Sequence, residues 1–120
     1  MLMEFVRGSM GYGRKFMEAA IGEFGRAMQN DVLDSVAWAV REGVADPERV
    51  ALMGASYGGY AALVALTTTP DVFACGVAAS APGDLARLIE SFPPNWEHDL
   101  RIWYLETFLS GCLGGRRVPP

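Results

Sequence analysis

The stretch Gly54-Ala55-Ser56-Tyr57-Gly58-Gly59-Tyr60 is where this sequence could do chemistry. Gly54, Ser56 and Gly58 give the spacing G-x-S-x-G. An apolar, β-like run, Val50 to Met53, enters it, and a small-residue helical run, Ala61 to Leu66, leaves it. That is the form of a nucleophile elbow, a strand-to-helix turn so sharp that the serine is held in strained backbone geometry with its hydroxyl pushed above the sheet. A serine presented in this way would act as a nucleophile in acyl transfer; the plainer reading of the same spacing is a glycine-rich turn holding an ordinary serine. The helix that follows points its first N–H groups and the positive end of its dipole at the place where an oxyanion forms. Gly54, Gly58 and Gly59 are the elbow glycines, expected because a Cβ there would collide with the neighbouring strand or helix.

The elements that must hold this turn are legible on both sides of it. Asn30 to Glu42 has Val32, Leu33, Val36, Ala37 and Val40 at helical spacing, with Asp31 and Asp34 near its start and Arg41 near its end, as the helix dipole favours. Gly43 is placed to cap it, and Asp46-Pro47 is a turn. Arg49 to Met53 reads as a buried strand, and the helix after the elbow runs to about Thr69, stopped by Pro70. Phe73 to Ala79 reads as a second buried strand, with Cys75 as a small core residue. Ser80 to Asp84 is then a loop at the carboxyl end of that strand, the edge where open α/β sheets bind ligands. Leu85 to Glu90 is a short helix, and Glu97 to Phe108 a further one. Upstream, Leu2 to Val6 looks like the end of a strand, Arg7 to Gly13 a glycine-rich loop, and Phe16 to Phe24 a short helix weakened by Gly22 and Gly25. Strand, helix, strand, helix, strand is the grammar of a parallel sheet, giving an α/β fold of about three parallel strands with flanking helices.

Composition narrows the function classes. The chain has 120 residues, 51% of them hydrophobic, which is enough for one domain with a real core. A net charge of −4 offers no basic face to displace counterions, so nucleic acid is not an expected partner. No apolar run approaches the roughly 18 residues of a membrane span, and Met1 to Arg7 is too short and too soon charged for a signal peptide, so the expected location is cytoplasmic. Two cysteines, Cys75 and Cys112, make no disulfide framework, and with a single histidine they supply no metal-ligand cluster, so neither metal nor cofactor is expected.

Several motifs stand in one order: Arg7-Gly8-Ser9-Met10-Gly11-Tyr12-Gly13, Met28-Gln29-Asn30-Asp31, Ala45 to Val50, Gly54 to Tyr60, Pro70-Asp71-Val72-Phe73 and Pro93-Pro94-Asn95-Trp96-Glu97. From about Phe5 to Tyr104 the sequence resembles the catalytic domain of the prolyl oligopeptidase family of serine peptidases, nearest to its acylaminoacyl-peptidase and dipeptidyl-peptidase-like members. The resemblance implies a partial α/β-hydrolase fold over residues 1–108; residues 109–120, with Gly111, Gly114, Gly115, Arg116, Arg117, Pro119 and Pro120, read from their composition as an irregular or disordered tail. It implies Ser56 as nucleophile, the backbone N–H of Tyr57 as an oxyanion donor, and short peptides as substrates. The Tyr57 side chain and the loop from Ala81 to Leu85 would border the pocket for the residue before the scissile bond. Arg7, Tyr12 and Asp31 match motif positions and read as residues that fix loops.

A serine hydroxyl needs a histidine base, and the histidine needs an acid. Ser56, Asp84 and His98 formally offer the order Ser, Asp, His. His98, however, lies in the Pro-Pro-x-Trp-Glu segment, where the resemblance places no catalytic group. It reads as a surface residue of an amphipathic helix. In the family the acid and base come well downstream, the second oxyanion donor upstream, and a β-propeller precedes the whole domain. The resemblance therefore implies an interior piece of a larger enzyme that carries the nucleophile and is inactive, or nearly so, by itself. Two alternatives stand beside it. One is a small esterase-like hydrolase using Ser56 and His98. The other is a non-catalytic interaction module that self-associates through open sheet edges.

Overall fold

Two adjacent parallel strands and the helix between them carry the candidate turn. The computed structural model describes residues 1–93 and 95. Its elements in chain order are α1 (Arg14–Glu18), α2 (Ala27–Arg41), a 3-10 turn (Pro47–Arg49), β1 (Ala51–Ala55), α3 (Tyr57–Thr68), β2 (Cys75–Ala79) and α4 (Leu85–Glu90). The chain divides into two compact units, Met1–Met28 with the chain from Ala86 onward, and Gln29–Leu85. No helix among the described residues is long and apolar enough to cross a membrane.

In the first unit the glycine-rich loop folds back on α1. The Gly8 N–H donates to Phe16 O at 3.0 Å. A Cβ on Gly8 would lie 2.6 Å from the Ala20 methyl, so this close approach needs glycine. Tyr12 packs between Phe5 and Phe16 in tilted ring contacts, with centroids 5.6 and 5.4 Å away. The strand expected at Leu2–Val6 is not formed. No strand lies beside it among the described residues, and an unpaired run has no ladder to join. The helix expected from Phe16 to Phe24 is instead the five-residue α1. Beyond Glu18 the chain tightens into bonds three residues back, from Ile21 to Glu18 and from Glu23 to Ala20, and positive φ at Gly22 and Gly25 turns it away.

α2 begins at Ala27, three residues before the expected Asn30, because the Glu23 carboxylate accepts the Ala27 N–H at 3.1 Å and caps the earlier start. Val32 and Ala39 are its buried apolar residues in the second unit, whereas Ala37 is exposed. Gly43, at φ 70°, ends the helix in a Schellman arrangement: Val44 N–H donates to Ala39 O and Gly43 N–H to Val40 O. Asp46 then accepts the Glu48 N–H at 3.0 Å and pairs with Arg49 at 2.7 Å. With Pro47 fixing φ, this turn takes up Arg49, so β1 starts at Ala51 rather than Arg49.

β1 and β2 pair in parallel, Ala51 opposite Cys75 through Ala55 opposite Ala79. Among the described residues the sheet has two strands, not the three expected, because Leu2–Val6 does not join it. α3 packs against both strands. Small residues bring it close: Gly59, Ala61, Ala62 and Ala65 are buried, and a Cβ on Gly76 would lie 2.7 Å from Leu66 Cδ1. Thr67, Thr68 and Thr69 turn their hydroxyls back onto the carbonyls of Leu63, Val64 and Ala65, and the helix closes before Pro70. Both strands read as buried in the sequence, yet Ala51, Met53 and Ala55 of β1 and every residue of β2 but Gly76 are exposed. Met53 is 71% and its register partner Val77 55% exposed. Cys75 lies in this row and is an exposed free thiol, not the core residue expected. The apolar run records what a two-layer cover would bury, and among the described elements α3 is the one that packs on both strands. α4 spans the expected residues. The helix expected at Glu97–Phe108, His98 within it, Cys112, and the tail at 109–120 lie outside the described residues.

Candidate active site

Ser56 is the single residue between the end of β1 and the start of α3. Its backbone is at φ 52° and ψ −118°, a region that costs a non-glycine residue about 1–3 kcal/mol. The surroundings hold it there. A Cβ on Gly54 would lie 2.7 Å from Gly58 Cα and nearer still to the Gly58 carbonyl, so strand and helix touch backbone to backbone across the turn. Gly59 is also hemmed in: a Cβ there would meet the Ala81 methyl at 2.8 Å and Ala79 O at 3.0 Å. Gly58 departs from expectation. A Cβ on it would meet nothing within 4 Å, because Gly58 presents its backbone to Gly54 and leaves its own Cβ direction open.

The turn leaves the serine hydroxyl uncommitted to structure. Ser56 is exposed, and its side chain makes no capping bond to α3. Its backbone is fully engaged, since the carbonyl accepts from Tyr60 N–H at 3.0 Å and the N–H donates to Ala79 O at 3.0 Å. The Ser56 N–H is therefore spent on β2. Tyr57 is the first residue of α3, and the amides of a helix's first turn point beyond the helix end rather than to a carbonyl one turn back. Together with the dipole they make that end attractive to developing negative charge. The Tyr57 ring is half-buried and packs at 6.1 Å from the Tyr60 ring.

Beside Ser56, at the carboxyl end of β2, Ser80 has a positive φ of 47°, the other non-glycine residue with this property among those described. The loop Ala81–Asp84 follows it into α4. Among the described residues no group of three or more His, Cys, Asp or Glu side chains is placed to hold a metal ion.

The sequence matches the model of the prolyl oligopeptidase family over residues 3–109. The chain belongs to the prolyl oligopeptidase family. Among curated relatives it is 50% identical over 90 residues to dipeptidyl aminopeptidase BIII of Pseudoxanthomonas mexicana, covering 75% of this chain and 13% of that protein. It is 51% identical over 90 residues to dipeptidyl peptidase family member 6 of Caenorhabditis elegans, covering 75% and 12%. Among solved structures it superposes on a Mycobacterium tuberculosis puromycin-hydrolyzing peptidase with a TM-score of 0.77 at 32% identity, over 91% of this chain and 16% of that one. The chain thus spans only about an eighth of the length of the curated relatives it matches, and corresponds to a segment of a serine-peptidase catalytic domain with the α/β-hydrolase fold.

Within this prolyl oligopeptidase segment, Gly54, Ser56, Tyr57, Gly58 and Gly59 fall in one turn. Asp84 lies in the loop before α4, and His98 lies outside the described residues. Sequence reasoning missed the part played by Ala79, Ser80 and Ala81. Ser80 to Asp84 was legible as a loop from its Pro and Gly, but nothing in Ala-Ser-Ala announces a left-handed serine or a carbonyl turned to Ser56.

Proposed function

We propose that this chain carries the nucleophile segment of a serine peptidase that cleaves short peptides. Ser56 Oγ attacks the peptide carbonyl and its proton passes to a histidine base supplied by a part of the peptidase domain outside this segment. The Tyr57 N–H, at the mouth of α3, donates to the oxyanion, and water then releases the acyl group. The observation that carries this reading is the backbone of Ser56, bent to φ 52° and ψ −118° between β1 and α3 while its hydroxyl caps nothing. Strain of this kind, sustained by a backbone-to-backbone contact, is what a presented nucleophile requires. By this reading the isolated chain is inactive or nearly so, since loss of triad partners removes several powers of ten in rate. A cytoplasmic location goes with it, and the exposed free thiol of Cys75 suits a reducing compartment.

The test is a transplant. Residues 5–93 of this chain replace the matching segment of dipeptidyl aminopeptidase BIII, and release of a dipeptide from a chromogenic amide is followed. Activity in the chimera that disappears with Ser56→Ala supports the reading, and activity that survives Ser56→Ala ends it. In parallel, a fluorophosphonate probe is applied to the isolated chain. Labelling that needs both Ser56 and His98 would make this a self-contained small hydrolase instead.

A further inference from the structure

The two non-glycine residues with positive φ among those described stand side by side. Ala55 and Ala79 are register partners at the carboxyl ends of β1 and β2, and Ser56 and Ser80 are the next residue on each strand. Both have positive φ, 52° and 47°. A β-sheet has no general need for this, because most strands end on residues with negative φ. The Ser56 N–H to Ala79 O bond carries the parallel pairing one rung beyond Ala55, and Ser80 is where the partner strand departs immediately after giving that carbonyl. The next residue, Ala81, then sets its methyl on the bare face of Gly59, where a Cβ would come within 2.8 Å of it and 3.0 Å of Ala79 O. Three consecutive residues therefore brace the turn at two points, its strand end through a hydrogen bond and its helix end through a packing contact.

We propose that Ser80 is a positioning residue for Ser56: its left-handed backbone turns Ala79 O onto the Ser56 N–H and Ala81 onto Gly59, and so fixes the height and tilt of the nucleophile turn from the neighbouring strand. The proposal rests on the reading of Ser56 as nucleophile for its functional meaning, but its geometry does not. An extended residue at 80 would carry Ala81 on along β2 instead of back over α3. The contact that keeps Gly59 bare would open, and the last rung would lose its backing. The bond also has a chemical consequence. With the Ser56 N–H committed to Ala79, donation to an oxyanion falls to the first turn of α3, whose direction the same brace sets.

The measurement is amide hydrogen exchange in the 120-residue chain, resolved at Ser56 and at the mid-strand amides of Gly54 and Val77. Ser80→Gly keeps positive φ without a steric penalty, and Ser80→Val forbids it. The expected result is that Ser80→Val speeds exchange at Ser56 at least tenfold more than at Gly54 and Val77, while Ser80→Gly leaves Ser56 as protected as in the parent chain. Equal acceleration at all three amides would reduce Ser80 to an ordinary fold-stabilising residue and overturn the proposal, as would an unchanged Ser56 in Ser80→Val. Should Ser80→Val not fold, Ser80→Thr against Ser80→Gly decides: faster Ser56 exchange in the β-branched threonine variant, with Gly54 and Val77 exchanging alike in the two, upholds the brace, and identical Ser56 rates remove it. None of these readings depends on turnover, so a failure of the transplanted Ser56 to act as nucleophile leaves the exchange result standing, and the reverse.

Discussion

The two glycines that flank Ser56 in the motif should respond to the same substitution with opposite signs. At Gly54 a methyl would lie 2.7 Å from Gly58 Cα and closer to its carbonyl carbon and oxygen. Carbon atoms in contact sit about 3.5–4.0 Å apart, and the atoms in the way are backbone, so no rotamer change relieves the clash. α3 would have to back away from β1 by about an ångström or more, which would also loosen Ala61, Ala62 and Ala65, its buried residues. Overpacking of this kind costs about 1–3 kcal/mol, and a rigid neighbour puts Gly54→Ala at the upper end, about 3 kcal/mol. For a unit of this size that is a fall in Tm of roughly 12–24 °C. At Gly58 a methyl meets nothing within 4 Å, and φ is not positive. Gly58 lies inside α3, where alanine is favoured over glycine by up to about 1 kcal/mol, so Gly58→Ala should leave stability unchanged or raise it. Urea unfolding followed by far-ultraviolet circular dichroism measures both. Equal losses in the two variants, or a Gly54→Ala cost below about 0.5 kcal/mol, would refute the claim that strand and helix meet at this point.

Three further outcomes are expected. Gly76→Ala should cost about 1 kcal/mol, because Leu66 Cδ1 stands 2.7 Å from the new methyl; Leu66→Ala should remove most of that cost, and a double-mutant cycle showing simple additivity would rule out the contact. Asp46→Ala should lose about 1 kcal/mol by unfolding titration, since the carboxylate both caps Glu48 N–H and holds Arg49; the exposed pair itself contributes little of this. Gln29 is 5% exposed, and neither its amide nitrogen nor its amide oxygen has a hydrogen-bond partner among the described residues. Gln29→Met should therefore be neutral or raise the unfolding midpoint. A loss above about 1 kcal/mol would reveal a partner for that amide.

Much of the second unit could be read from local chemistry. Gly43 predicted a helix stop and forms one, and Leu85–Glu90 has the bounds that its flanking loop residues implied. The helix after the elbow was legible because its small-residue run from Ala61 to Leu66 favours helix and Pro70 stops it. What escaped notice depended on neighbours in space. Arg49 and Val50 belong to an apolar approach in sequence, but Asp46 draws Arg49 into a 3-10 turn. Cys75 and Val77 sit in a run as apolar as any buried strand, and only the layer on the far side of the sheet decides whether they are covered. Leu2–Val6 has the residues of a strand, but among the described residues no strand lies beside it. At the candidate site the spacing of Gly54, Ser56 and Gly58 was plain, while the different duties of the two glycines and the backbone of Ser80 became visible only when β2 was set next to β1.

Cys75 makes the bare sheet face measurable. It stands at the amino end of β2, in the same row as Val77 and opposite Ala51, four residues from Ala79 and so about 13 Å along the strand from the Ser56 end. A thiol there is a built-in clock: its rate of reaction with a thiol reagent, in a Cys112→Ser background, reads how open that face is at any moment. Whatever settles on Met53 and Val77 must shadow Cys75 too, so slowing of the clock would register each covering layer as it arrives, without a label being engineered into the chain.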